Sequence, residues 1–72
     1  MIRYDPFCET LKRSGESSYT LITVHHISSS TINRIRKNQN ITTNTINDLC
    51  RILNCKIEDI AAYVESEGDQ AL

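Results

Sequence analysis

Seventy-two residues make one domain, close to the lower limit for a single core without staples, and no apolar run is long enough to span a bilayer. The formal net charge of −1 argues mildly against nucleic acid, but residues 1–56 carry all 8 Lys and Arg against 4 acids, whereas residues 57–72 carry 5 acids and no base. Three cysteines, Cys8, Cys50 and Cys55, are an odd number and read as reduced thiols, not a disulfide framework; with charges throughout the first residues and no apolar signal segment, the expectation is a cytoplasmic chain with no membrane role.

Asp5 is expected to cap a first helix that takes Pro6 in its first turn, places Phe7, Cys8 and Leu11 on an apolar side and ends near Ser14 and Gly15. Ser17 or Ser18 caps a second helix running to about Val24 or His25, with Leu21, Ile22 and position 25 as its stripe. A third helix follows over about 29–37, capped by Ser28, with Ile27, Ile32 and Ile35 as a second stripe. Two stripes so close must pack across a sharp bend, as in a helix-turn-helix. Asn38, in the polar 38–40 loop, suits the left-handed conformation that ends a helix. Thr42 or Thr43 caps a fourth helix, in which Ile46, Leu49, Cys50 and Leu53 fall at i, i+3, i+4 and i+7. Ile57, Ile60, Ala61 and Val64 repeat that spacing and predict a fifth. Residues 65–72 have nothing to bury and read as an acidic, disordered tail beyond a domain of residues 1–64.

The third helix carries the functional signal. At 100° per residue, Ile32 and Ile35 point to the core while Ser30, Asn33, Arg34 and Lys37 lie opposite, and Ser28 and Ser29 sit at the N-terminal end. A small, hydroxyl-rich tip fits the major groove, where Asn33 matches adenine and Arg34 guanine through two-point hydrogen bonds. No acid interrupts the chain between Glu16 and Asp48. A merely solvated helix also shows a polar face.

Five short helices with the helix-turn-helix as the second and third resemble the lambda-repressor-like domains of the Cro and phage-repressor, or XRE, family. The resemblance covers about residues 5–64 and rests on Leu21, Ile27-Ser28, Thr31-Ile32, Ile35, Ile41-Thr42, Thr45-Ile46, Leu49, Leu53-Asn54-Cys55 and Glu58-Asp59-Ile60. The Arg3 to Phe7 segment is similar to the start of short, stand-alone bacterial members. The resemblance implies a compact all-α domain of five helices whose third lies in the major groove. It assigns base readout to Ser29, Ser30, Asn33 and Arg34, with Thr31 and Lys37 nearby. Phosphate contacts are assigned to Ser18, Ser28, Asn38, Asn40 and Thr43. Three positions depart from the pattern: His26 stands where the turn usually has glycine, so it must accept positive φ or the turn is reshaped; Arg36 replaces a frequent acid and either adds a phosphate contact or lies on the flank; His25 replaces an apolar residue.

His25, His26, Cys50 and Cys55 invite a zinc reading, but adjacent histidines diverge and the two cysteines straddle a helix end, so no metal or cofactor is expected. A partly buried His25, an exposed His26 and core thiols are expected instead. No serine has a histidine–carboxylate partner in view and no glycine-rich phosphate loop exists, which points away from an enzyme. Tyr4, Tyr19 and Tyr63 are expected to pack with one edge wet, Tyr19 beside the first helix, with contact to the DNA backbone from the second helix as its alternative role. The leading expectation is a regulator of transcription, a repressor, binding double-stranded DNA as a homodimer; the alternative is a module with a protein partner, such as an antitoxin or anti-repressor component.

Overall fold

The computed structural model describes residues 1–69; the end of the expected tail, residues 70–72, lies outside the described residues. A two-residue strand β1 (Ile2–Arg3) leads into four helices, α1 (Asp5–Ser14), α2 (Ser18–Thr23), α3 (Ser29–Arg36) and α4 (Thr43–Leu53). A single 3-10 turn (Ile57–Asp59) and a strand β2 (Ala62–Tyr63) follow.

Local chemistry explains the helix bounds. Ser17, Ser28 and Thr42 each occupy an N-cap in extended conformation, and each side chain accepts the backbone N–H three residues on, from Thr20, Thr31 and Thr45. At α2 the Thr20 hydroxyl also accepts the Ser17 N–H, closing a capping box. The first helix differs from expectation. Asp5 is its first residue rather than its cap; Tyr4 takes the cap position without a side-chain bond, and the Asp5 carboxylate accepts from Arg3 Nε at 2.8 Å. Gly15, at φ 81°, ends α1 in the left-handed region.

The core gathers Tyr4 and Phe7, Leu21 from α2, Ile27 from the turn, Ile32 and Ile35 from α3, Leu49 and Leu53 from α4, and Ile60. Cys8 is exposed, and Thr10 takes the inward position on α1. Its hydroxyl donates to the Asp59 carbonyl at 2.7 Å, so the buried oxygen is satisfied.

The expected fifth helix does not form. Ile60 N–H and Ala61 N–H both reach the Ile57 carbonyl, and the chain then turns extended and pairs antiparallel with β1, Ile2 opposite Tyr63 and Arg3 opposite Ala62. Only Ile60 of the expected stripe is fully buried; Ile57 is 66% exposed, with Val64 also at the surface. A two-turn helix barely outlasts its nucleation cost, whereas β-branched and aromatic residues fit a strand. Beyond β2, the Asp69 carboxylate meets the Met1 amino group at 2.8 Å and accepts from the Tyr63 hydroxyl at 3.2 Å.

Candidate nucleic-acid interface

Between α2 and α3 the chain reverses within a few residues. Val24 and His25 N–H groups donate to the Thr20 carbonyl and Ile27 N–H to the Leu21 carbonyl at 2.9 Å, after which Ser28 starts α3. His26 stands at φ 62°, so it adopts the positive φ for which the turn usually employs glycine. It is exposed, and the strain is confined to one residue.

His25 is partly buried, its Nε2 3.3 Å from Glu16 Oε2. The other Glu16 oxygen accepts from the Thr20 hydroxyl at 2.7 Å. The Thr20 hydrogen bond, and secondarily His25, hold the Glu16 carboxyl below the usual carboxylate range against an opposing desolvation. The imidazole thus braces the start of α2 against its end. Among the described residues no three His, Cys, Asp or Glu side chains converge as a metal site.

Ser29, Ser30, Asn33, Arg34 and Lys37 are all exposed, on the face opposite the buried Ile32 and Ile35. Arg3, Lys12 and Arg51 each lie within 4 Å of a carboxylate, whereas Arg34, Arg36 and Lys37 form no ion pair among the described residues. That leaves two cations on the eight-residue α3 and a third at its C-cap without a carboxylate partner among the described residues, as Arg13 and Lys56 also are, and these three are the ones clustered on one element.

The remaining candidates divide. Asn40 and Thr43 are exposed, beyond α3 and at the first turn of α4. The Ser28 hydroxyl is engaged as a cap and lies 2.8 Å from Thr31 Oγ1 and 3.2 Å from Ser30 Oγ. Thr31, expected near the bases, is turned inward and buried, so it supports the cap instead of facing outward. Asn38, expected at phosphate, has φ 55° and its Oδ1 accepts the Tyr4 N–H at 2.8 Å. Its own N–H reaches the Ile35 carbonyl and Gln39 N–H the Arg34 carbonyl, a Schellman end for α3. The Asn38 side chain therefore anchors α3 to the start of α1.

Arg36 replaces a frequent acid and its role is fixed by the crossing of α2 and α3. Its Nη2 donates to Ser18 Oγ at 2.9 Å, which holds the guanidinium at the first turn of α2, among N–H groups that themselves favour an anion. No local signal links positions 18 and 36; only the crossing of α2 and α3 does. Tyr19, expected to pack beside α1, is instead 74% exposed on α2, and Tyr63 is 65% exposed on β2; Tyr4 alone of the three is buried.

A short helix presenting two serines, an asparagine and an arginine, braced across a tight turn by a second helix and bearing unneutralised cations, defines a helix-turn-helix DNA-binding domain. The chain belongs to the family of the Cro/C1-type HTH DNA-binding domain, whose model matches residues 9–66. The fold is similar to that in the crystal structure of transcriptional regulator VanUg, form II, with a TM-score of 0.80 and 23% identity over 90% of this chain and 87% of that one. No curated protein matches the chain. No helix among the described residues is long and apolar enough to cross a membrane.

Proposed function

We propose that the protein is a sequence-specific, non-enzymatic, cytoplasmic regulator of transcription, a repressor that binds a pseudo-palindromic operator as a dimer. The observation that carries this reading is the outer face of α3, where Ser29, Ser30, Asn33 and Arg34 are exposed together with no carboxylate among the described residues pairing its cations. Asn33 and Arg34 read adenine and guanine; Lys37, Arg36 with Ser18, Asn40 and Thr43 meet phosphates. A single domain of this size makes few contacts, so useful affinity calls for two copies on half-sites about one helical turn apart. Residues 65–69 stay clear of the duplex, a reading supported by the Asp69 contact with the Met1 amino group.

The test is selection of bound duplexes from a random pool at low and near-physiological salt, with Arg34→Ala in parallel. A recurrent two-fold motif that blurs at one position in each half-site for the variant is the expected result. No enrichment at either salt overturns it. One observation favours a second reading, a module for a protein partner such as an antitoxin component: Ile2, Ile57, Tyr63 and Val64 are exposed, and Ile2, Ile57 and Tyr63 border an open apolar cavity with Ile41 and Ile46. Under the first reading this face is the seam between two copies.

A further inference from the structure

At the far end of α4 the chain places two thiols against each other. Asn54 sits in the left-handed region at φ 51° and donates its N–H to the Cys50 carbonyl, and Cys55 N–H reaches the same carbonyl at 3.0 Å. In this type of helix ending, the residue after the left-handed one and the residue five before it carry the side chains that meet over the cap. Here both are cysteines, and both are half-buried and free.

Backbone reach permits a bond between them. An N···O separation of 3.0 Å, extended by one N–Cα bond and the Cα-to-O span of a carbonyl, bounds the Cα–Cα distance at about 6.9 Å for a straight path. The bends at nitrogen and oxygen bring it lower, within the range of about 4.4–6.8 Å that disulfides use.

We propose that Cys50 and Cys55 are a modification site, a dithiol that a peroxide closes to an intramolecular disulfide across the end of α4. Cys50 borders an open cavity with Thr43, Ile46, Asn47 and Ile57, which admits a small oxidant to its sulfur. Cys55, whose N–H reaches the Cys50 carbonyl over the same cap, is the resolving partner: burial, together with the neighbouring Cys50 sulfur, pushes its thiol up to about 11, so it stays protonated and slow towards peroxide itself. The Cys50 thiolate displaces hydroxide from hydrogen peroxide to give Cys50–SOH, the hydroxide taking up a proton as water. The Cys55 sulfur then attacks the Cys50 sulfur, the S–O bond breaks, the Cys55 proton leaves, and a second water departs. Two thiols lose two electrons in all, and one peroxide becomes two waters. Exposed Cys8, on α1, takes no part.

The sequence provides its own assay, because Arg51 lies between the two cysteines and trypsin cuts after it. The full-length Cys8→Ser protein is treated with hydrogen peroxide, blocked with an alkylating agent and digested without reductant. The expected product is residues 38–51 joined to residues 52–56 through sulfur, from protein that runs as a monomer, is lighter by two hydrogens and reverts with dithiothreitol. Cys55→Ser, in the same background, should accumulate Cys50 sulfenic and sulfinic acids several-fold faster than the parent. Direct passage of Cys50 to sulfinic acid with Cys55 still present, or linkage found only between two chains, overturns the proposal. Equal over-oxidation of Cys50 with and without Cys55 overturns it as well.

Discussion

Asn38 combines two tasks that substitution can separate: it occupies the left-handed region at φ 55°, and its side chain accepts the Tyr4 N–H at 2.8 Å. Asn38→Gly leaves the backbone at ease and removes the acceptor from a partly buried N–H, a loss of about 1 kcal/mol. Asn38→Ala removes the same acceptor and puts a β-carbon, with no local polar group to offset it, where an L-residue costs a further 1–2 kcal/mol or so. Its total is about 2–3 kcal/mol. Asn38→Asp keeps the oxygen and should lose least. In a chain of this length each kcal/mol moves Tm by about 4–8 °C, so the glycine variant should melt by roughly that much below wild type and the alanine variant two to three times further below. Circular dichroism melts, with urea titrations to check that the m-value is unchanged, measure both. A glycine variant as stable as wild type would show that the Tyr4 hydrogen bond contributes nothing; one as unstable as alanine would show that the backbone carries no strain. Either result refutes the reasoning. All three variants, assayed well below their melting points, should keep the wild-type base preference, because this amide is turned inward.

Arg34→Ala should cost about 1–3 kcal/mol of binding and relax one base position, whereas Lys37→Ala should weaken all sequences alike and flatten the salt dependence by about one unit of slope; binding isotherms across salt on matched and mismatched duplexes distinguish them. His26→Gly should stabilise the fold by about 1 kcal/mol, since a β-carbon at φ 62° is relieved and the ring is exposed; a thermal melt at or below wild type counts against strain in the turn. Glu16, held below the usual carboxylate range by Thr20 and then His25, gives up its proton more readily in the folded chain than in the unfolded one. Its contribution is therefore present above the ordinary glutamate pKa of about 4.3 and lost as pH falls through the folded value. Wild-type stability should decline more steeply on acidification than that of Glu16→Gln, and parallel profiles would argue against this carboxylate's role.

How much was legible beforehand follows the range of each interaction. Helix starts at residues 17, 28 and 42 rest on a hydroxyl and an N–H three residues away, so a serine or threonine before an apolar stripe locates them to within a residue. The left-handed Asn38 is also local, an asparagine directly after a helix. The fifth helix failed because its evidence was a spacing over eight residues, too short for period to outweigh what lies elsewhere. What lies elsewhere is β1, which pairs Ile2 with Tyr63 from the opposite end of the chain, a contact with no periodic trace. On α3 the 100° spacing fixes which side faces out, since burial of Ile32 and Ile35 determines it. Which polar groups were already engaged was hidden, because Ser18 is met by Arg36 and Asn38 by Tyr4, partners 18 and 34 residues distant.

Those distant partners also account for how six- and eight-residue helices, too short to persist alone, present a defined surface. Helix α3 is held at both ends: Ser28 caps it on the side of the turn, where Ile27 N–H is fixed to the Leu21 carbonyl, and Asn38 ties its other end to the start of α1. Arg36 links its last turn to α2 at Ser18. With the backbone so restrained, under the proposed function it is chiefly the side chains of α3, those of Ser29, Ser30, Asn33 and Arg34, together with Lys37 at its C-cap, that would be ordered on contact. Association then carries mainly side-chain entropy, about 0.5–1.5 kcal/mol for each long side chain immobilised, a burden that falls chiefly on Arg34 and Lys37. The short serines and asparagine at the tip add little to it, which is a physical reason for a recognition helix to begin with hydroxyls and reserve its long cations for later turns.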